Sequence, residues 1–307
     1  MTYFNHSGGG DFNPAGALPS ESTWAHGQVD GRGHYYPVQT FPELSDQIQR
    51  SQNGELEISE VDIDAYQAWC ESGWKAQHAT YSAADRFSQK GQEETDEVVD
   101  AWVEYRKTGD ESHLVEELGD VLWVATALAS NAKASVSDAL KKRFFDYLMG
   151  TKVIGAGGGQ TEPAWYDAVA ELSVKRGSLQ LVDISQLFAR TNFVPQASAA
   201  MNLEGDETIS LHEQVTSLEY LIVAAAFQNR QQYDEEGGPS YLSEAGYRQL
   251  SSNVGEVIAE AYLRVAAAGQ VIGSSLPAIV AANIAKITER IKTNTIDKTD
   301  GERPSTL

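Results

Sequence analysis

The chain has 307 residues and a formal net charge of −21 at pH 7. Its hydrophobic share of 41% is sufficient for a folded core, whereas the acidic excess excludes direct binding to DNA or RNA backbones, which requires clustered Lys and Arg. A small phosphorylated ligand remains compatible with this charge, because a bound divalent cation can neutralise both sides.

The N-terminal residues 1–54 are rich in Gly, Pro, Asn, Ser and His and show no sustained helical period. We expect them to form an irregular arm. The first residues contain no basic segment followed by an apolar one, and no apolar run in the chain is long enough to cross a bilayer. The sequence therefore predicts a cytoplasmic protein.

Four helices are predicted in residues 55–150, where apolar residues recur at helical spacing. The first covers about 59–76 and the second about 82–107, ending at Thr108-Gly109. Asp110 caps the third, at about 113–130, and the capping-box-like segment Ser135-Val-Ser-Asp138 begins the fourth, which ends near 149. The short turn after Thr108 predicts that the second and third helices form an antiparallel hairpin.

Residues 151–163 combine a glycine run with a proline and are predicted to form a linker. Helical patterns then resume at about 164–176, 183–192, 207–232, 241–269 and 275–293. Only residues 179–182 have the alternating character of a strand. We therefore predict an all-α helical bundle.

The two halves of the chain share short motifs, which are Glu117-Leu-Gly-Asp-Val-Leu122 with Asn253-Val-Gly-Glu-Val-Ile258, and Glu94-Thr-Asp-Glu97 with Thr216-Ser-Leu-Glu219. A glycine inside a helix costs about 1 kcal/mol relative to Ala, so Gly119 and Gly255 suggest close helix contacts. We interpret residues 164–300 as a second, degenerate copy of the first helical unit. The alternative is a chance match between two unrelated helical segments.

Four carboxylates are candidates for chemistry, namely Glu94, Glu97, Glu117 and Asp120. Residues three apart share a helix face, so the two pairs can meet across the predicted hairpin. Clustered carboxylates raise each other's pKa values, and a bound Mg²⁺ or Mn²⁺ removes that cost. A solvated acidic face is the alternative for such runs, but Glu117 and Asp120 lie among apolar neighbours. We predict that the four acids bind a divalent metal.

The pattern Glu94-x-x-Glu97 followed by Glu117-x-x-Asp120, within EELGDVLW, resembles the MazG-like all-α nucleoside triphosphate pyrophosphohydrolases. Tyr66-Gln67 on the first helix and Asn283-Ile-Ala-Lys286 with Arg290 on the last helix are also similar to that family. The similarity is good for about 60–150 and fainter for about 206–293. It implies Mg²⁺-dependent hydrolysis of a (d)NTP to a (d)NMP and pyrophosphate by water attack at the α-phosphate.

The resemblance also implies roles for individual residues. Glu97, Glu117 and Asp120 would hold the Mg²⁺ while Glu94 orients or deprotonates the water, although spacing alone leaves open which carboxylate is the base. Asn283, Lys286 and Arg290 would contact the nucleotide. Trp74 is a candidate for stacking on the base, with a place in the core as the alternative.

Members of this family commonly assemble as dimers of helical units, so the resemblance implies a fused pseudo-dimer with one composite site. The first copy would supply the carboxylates and the second Asn283 and Lys286, since the first copy has Arg143 and Asp146 at those places. A homo-oligomer of such pseudo-dimers is compatible with this. The competing interpretations are a catalytically weak nucleotide-sensing or scaffold protein, and a purely structural bundle without metal.

Overall fold

The computed structural model describes residues 27–29, 35–37, 41–77, 83–154, 163–190 and 244–293. Two short strands, β1 (Gly27–Val29) and β2 (Tyr35–Pro37), pair antiparallel, and nine α-helices make up most of these residues. The helices are α1 (Phe41–Gln52), α2 (Ile63–Gln77), α3 (Ala83–Thr108), α4 (Ser112–Asn131), α5 (Val136–Ile154), α6 (Pro163–Ser173), α7 (Leu181–Arg190), α8 (Glu244–Ile272) and α9 (Leu276–Lys292). The predicted all-α character is confirmed for this part of the chain.

Helix α4 lies at the centre of the described bundle. Every residue from Glu117 to Ala129 is buried, because the helix packs against α2, α3, α8 and α9 at once. Helix α8, one of these four, also packs against α5 and α7. A helix surrounded in this way must carry apolar residues on all sides, so polar residues on α4 are placed inside the protein.

The α3–α4 hairpin forms as the sequence predicts. Gly109 adopts the left-handed conformation (φ 75°) that ends a helix, and its amide donates to the carbonyl oxygen of Tyr105 at 2.8 Å. The carboxylate of Asp110 then accepts a hydrogen bond from the amide of Ser112 at 3.0 Å, which is the capping role expected of it. The two helices run antiparallel and in contact.

Helix α9 crosses α4 at very short range. A Cβ atom on Gly119 would lie 2.9 Å from Cβ of Asn283 and 3.1 Å from the carbonyl oxygen of Ile279. Gly255 of α8 is nearly as close to α5, with a distance of 3.2 Å to Cβ of Ala139. Both glycines therefore mark close helix contacts, as their positions inside helices suggested.

The loops that precede α5 and α9 have the same backbone geometry. Lys133 and Gly273 both have positive φ, of 55° and 80°. The amide after each of them donates to a carbonyl oxygen five residues earlier, at 2.9 Å for Ala134 and 2.8 Å for Ser274. The hydroxyls of Ser135 and Ser275 accept hydrogen bonds from the amides three residues later, at 3.1 and 3.3 Å.

The structure differs from the sequence predictions in three places. The expected irregular arm contains the β1–β2 hairpin and α1, which packs on α2. The expected linker is shorter, since α5 continues to Ile154 and α6 begins at Pro163. Residues 179–182 form no strand but a single antiparallel bridge, Asp62 with Gln180, before α7. The predicted helix at 207–232, with Thr216 and Glu219, lies outside the described residues.

Among the described helices, none is by itself long and apolar enough to cross a membrane. Residues 252–272 and 276–290 reach that length and composition only as a pair, bent by 102° at the break between them.

Candidate metal centre

Three of the four predicted carboxylates converge between α3 and α4. Glu94, Glu117 and Asp120 each offer one oxygen atom, and these atoms lie within 4.8 Å of one another. The three residues are 7%, 3% and 4% exposed. The spacing of three residues on α4 and the antiparallel hairpin produce this convergence, which agrees with the prediction made from the sequence.

Glu97 lies beside this cluster, outside its convergent oxygen atoms. It is half-buried, and its charge raises the pKa of both Glu94 and Glu117, with a hydrogen bond to Glu117 raising the pKa of that group further. The fourth predicted ligand is therefore close enough to interact with the site without belonging to the group of three.

The carboxylate cluster is electrostatically unfavourable as it stands. Burial, followed by the charge of Asp120, raises the pKa of Glu94 to about 8, against the opposing effect of Lys90. Burial also raises the pKa of Glu117, where the charge of Lys286 opposes the shift. Buried acids of this kind require either protons or a bound cation.

Helix α9 brings two polar residues to the same point from the other end of the chain. Nδ2 of Asn283 donates to Oδ1 of Asp120 at 2.8 Å. The ammonium of Lys286 donates to Oδ2 of Asp120 at 2.6 Å and lies 3.6 Å from Oε1 of Glu117. Burial lowers the pKa of Lys286, but the charge and the hydrogen bond of Asp120, together with the charge of Glu117, outweigh this and the net pKa is raised.

The other two predicted substrate residues, Arg290 and Trp74, lie outside the carboxylate cluster. Arg290 is half-buried one helical turn beyond Lys286, close enough for its charge to affect the pKa of that lysine. Trp74 belongs to the core, with its ring stacked on Phe87 at 4.1 Å and tilted against Trp123 at 5.3 Å. Contact between Trp74 and a base would require the ring to leave this stack.

Sequence reasoning missed two basic residues at the site. Nε2 of His113 lies 3.2 Å from Oε1 of Glu117, and its Nδ1 lies 2.9 Å from Oε2 of Glu104. The ammonium of Lys90 lies 3.3 Å from Oε1 of Glu94. Both precede their acid by four residues on the same helix, a spacing that brings side chains together and could have identified them.

The described donor set fits a hard divalent cation. Carboxylate oxygens are the ligands that Mg²⁺ and Mn²⁺ prefer. Oε2 of Glu117 is buried and has no hydrogen-bond partner among the described residues, and leaving a charged group in that state is costly. A cation between the three carboxylates would satisfy this atom and remove their mutual repulsion.

Comparison with known families agrees with this geometry. The family model described as the MazG nucleotide pyrophosphohydrolase domain matches residues 87–144. The matched segment covers most of α3, all of α4 and the first half of α5, and it contains all four predicted carboxylates. The resemblance predicted from their spacing is thus confirmed, and it associates the segment with nucleotide pyrophosphohydrolases. No curated protein and no solved structure matches the chain.

Proposed function

Starting from the MazG-type segment at residues 87–144, we propose that the chain is a Mg²⁺-dependent nucleoside triphosphate pyrophosphohydrolase that converts a (d)NTP to a (d)NMP and pyrophosphate. The observation that supports this most strongly is the convergence of Glu94, Glu117 and Asp120, whose oxygen atoms lie within 4.8 Å of one another inside the matched segment. Mn²⁺ is a second candidate, because it accepts the same oxygen ligands.

The proposed division of labour follows the positions of the acids. A bound divalent cation would supply neutralisation of the triphosphate oxygens and of the charge that develops on the departing pyrophosphate. Glu117 and Asp120, both fixed on the buried helix α4, would hold it together with Glu94. Glu97 would contribute negative charge from the rim.

Glu94 is the proposed general base. It orients a water molecule and accepts its proton while the water oxygen bonds to the α-phosphorus, and the bond from that phosphorus to the α–β bridging oxygen breaks. Glu94 suits this role because it faces the two α4 carboxylates from the neighbouring helix α3. Glu117 is the alternative base.

Several features of the first half recur in the second half 140 residues later, as Lys133 and Gly273 do. This constant difference in residue number supports the proposed fused pseudo-dimer. The loops before α5 and α9 follow this register. So does the Asp120–Asn283 hydrogen bond, whose counterpart is the ion pair between Glu260 and Arg143, 3.0 Å long. These contacts pair Asp120 with Glu260, and they favour this register over the short glycine motif, which paired Asp120 with Glu256.

The composite site is the part of the proposal that depends on Lys286. Its side chain is 20% exposed, and its ammonium can move to a phosphate oxygen when a cation takes its place beside Asp120. Replacing it with Ala should lower kcat/KM roughly ten- to a hundredfold, the usual value of a charge-assisted hydrogen bond. Lys142→Ala is the matched control, since that lysine pairs with Asp146 and Glu256 away from the site. Unchanged turnover in Lys286→Ala would refute the composite site.

Pyrophosphate release tests the activity itself. The native chain is assayed with Mg²⁺ or Mn²⁺ against a panel of natural and modified nucleoside triphosphates. The same panel identifies the preferred nucleobase of the substrate. Asp120→Asn should abolish metal-dependent release while the helical circular dichroism is retained, and Glu97→Gln should lower it by a smaller factor, because Glu97 lies outside the three convergent carboxylates. Retained activity in the Asp120→Asn variant would contradict the assignment of this carboxylate.

One observation favours the alternative of a catalytically weak nucleotide-sensing or scaffold protein. The ammonium of Lys286 already neutralises Asp120 at 2.6 Å, and it competes with a divalent cation for that carboxylate. A protein of this kind would bind nucleoside triphosphates without releasing pyrophosphate. The same assay therefore separates the two functions.

A further inference from the structure

Asn283 does not have the surroundings of a nucleotide ligand. Asn283 is 0% exposed, and α4 approaches it so closely at Gly119 that an added methyl group there would lie 2.9 Å from its Cβ. Both ends of its amide are already used within the protein, since Nδ2 donates to Asp120 and Oδ1 accepts from the hydroxyl of Tyr66 at 3.1 Å.

The direction of this hydrogen-bond chain follows from its two ends. Asp120 is a carboxylate paired with an ammonium, so it accepts, and the NH₂ group of Asn283 must face it. The amide oxygen then faces Tyr66, whose hydroxyl must donate. Burial raises the pKa of Tyr66 well above its ordinary value, so its proton is retained.

We propose that Tyr66 and Asn283 are positioning residues that fix the metal-binding carboxylate of Asp120. These hydrogen bonds connect Tyr66 on α2 of the first half to Asn283 on α9 of the second half, and Asn283 to Asp120 on α4. It holds Oδ1 of Asp120 in place by a fully buried amide, while Lys286 remains the only one of these partners with access to solvent. Partners of this kind orient metal ligands and tune their affinity. The inference rests on the proposed metal site.

The counterpart contact shows what the site becomes without this arrangement. Where the second half has Asn283, the first has Arg143, and its guanidinium pairs with Glu260 at 3.0 Å. Arg264 pairs with the same glutamate at 3.2 Å. A carboxylate held by two guanidinium groups is fully neutralised, whereas Asp120 meets one neutral amide and one ammonium that Glu117 shares, so the acidic cluster keeps negative charge for a cation.

The test is Mn²⁺ binding to the full chain in the absence of nucleotide, measured by titration calorimetry. Tyr66→Phe removes only the donating hydroxyl and should weaken Mn²⁺ binding roughly tenfold or more. Asn283→Ala removes the donor to Asp120 itself and should weaken it further. The nucleotide KM at saturating Mn²⁺ should be unchanged in Tyr66→Phe. Tyr262→Phe is the matched control, because that buried hydroxyl bonds to Thr126 at 2.7 Å rather than to Asn283 or Asp120.

Native Mn²⁺ affinity in Tyr66→Phe would overturn the positioning role and leave the metal site intact. If the Tyr66 and Asn283 variants had a raised nucleotide KM with native Mn²⁺ affinity, the positioning role would be overturned in favour of direct nucleotide contact by Asn283. A native chain that binds no Mn²⁺ would overturn both this inference and the proposed function. Equal weakening in Tyr66→Phe and Tyr262→Phe would reduce the effect to core packing and would also overturn the positioning role.

Discussion

At the scale of single residues, the carboxylate cluster is an arrangement that the metal-free protein supports at a cost. Burial and neighbouring acids raise the pKa of Glu94 from 4.5 to about 8. The folded state therefore binds this proton more tightly than the unfolded chain does. The stability that the proton contributes is fully present below the unfolded pKa and is lost as the pH rises through the folded one.

This linkage predicts the pH dependence of the metal-free protein. With a chelator present, the free energy of unfolding should fall between about pH 5 and pH 8, and Glu94→Gln should remove much of that fall. Urea denaturation at several pH values measures it. Glu116→Gln, which removes the same charge from an exposed position of α4, is the control. A native chain as stable at pH 8 as at pH 5 would contradict the prediction.

The site residues show which properties a sequence can predict. Spacing places Glu117 and Asp120 on one face of α4, and both converge with Glu94 as expected. Spacing does not determine how deeply each side chain lies between packed helices, so Glu97 stays at the rim. For the same reason the burial of Asn283 was not predicted. It depends on how closely α9 approaches α4, a distance set by tertiary packing.

At the scale of helices, the crossing of α4 and α9 depends on one missing side chain. Gly119 allows the approach that brings Asn283 within hydrogen-bond distance of Asp120. Helices pack at distances set by the side chains at the contact. An added methyl group would meet backbone and Cβ atoms, which cannot move aside as a flexible side chain can.

Two glycines inside helices should therefore respond to Ala in opposite ways. Gly119→Ala should destabilise the protein by about 1–3 kcal/mol through overpacking and should weaken Mn²⁺ binding by moving Asn283. Gly73→Ala on α2 is the matched variant, because its Cβ would meet the indole of Trp123 at an ordinary 3.6 Å. It should stabilise the protein by up to about 1 kcal/mol through helix propensity. Thermal melts of both variants decide, and a Gly119→Ala protein as stable as the native one would disprove the close contact.

Helix positions were predicted better than helix partners. Apolar periodicity and the caps at Gly109, Asp110 and Ser135 located α3 and α4 to within one residue and the ends of α2 and α5 to within about five. Helix α1 was missed because the arm around it has the composition of a loop. The short match around Gly255 would pair the two halves one helical turn away from the register that the capped loops before α5 and α9 favour, because a short match can slide along a helix whereas the capped loops cannot.

At the scale of the whole molecule, the proposed pairing of the two halves relates two helix crossings that carry different polar clusters. One crossing carries the acidic cluster with Asn283 and Lys286. The other carries an ion-pair cluster in which Glu260 meets two arginines and the hydroxyl of Tyr147 at 3.1 Å. The first arrangement leaves negative charge for a ligand and the second leaves none. We therefore expect function and stability to separate between the halves.

The Glu260→Gln variant tests whether function and stability separate between the halves. The substitution keeps the shape of the side chain but leaves Arg143 and Arg264 without their buried anion, which should cost about 3 kcal/mol of unfolding free energy. Its kcat, and the rise in Tm on adding Mg²⁺, should be native, because ligand binding to the folded state raises Tm only through an intact site. Asp120→Asn should behave in the opposite way and lose the Mg²⁺-dependent rise. Loss of that rise in the Glu260→Gln variant would show that the ion-pair cluster takes part in cation binding, and that the halves are not divided in this way.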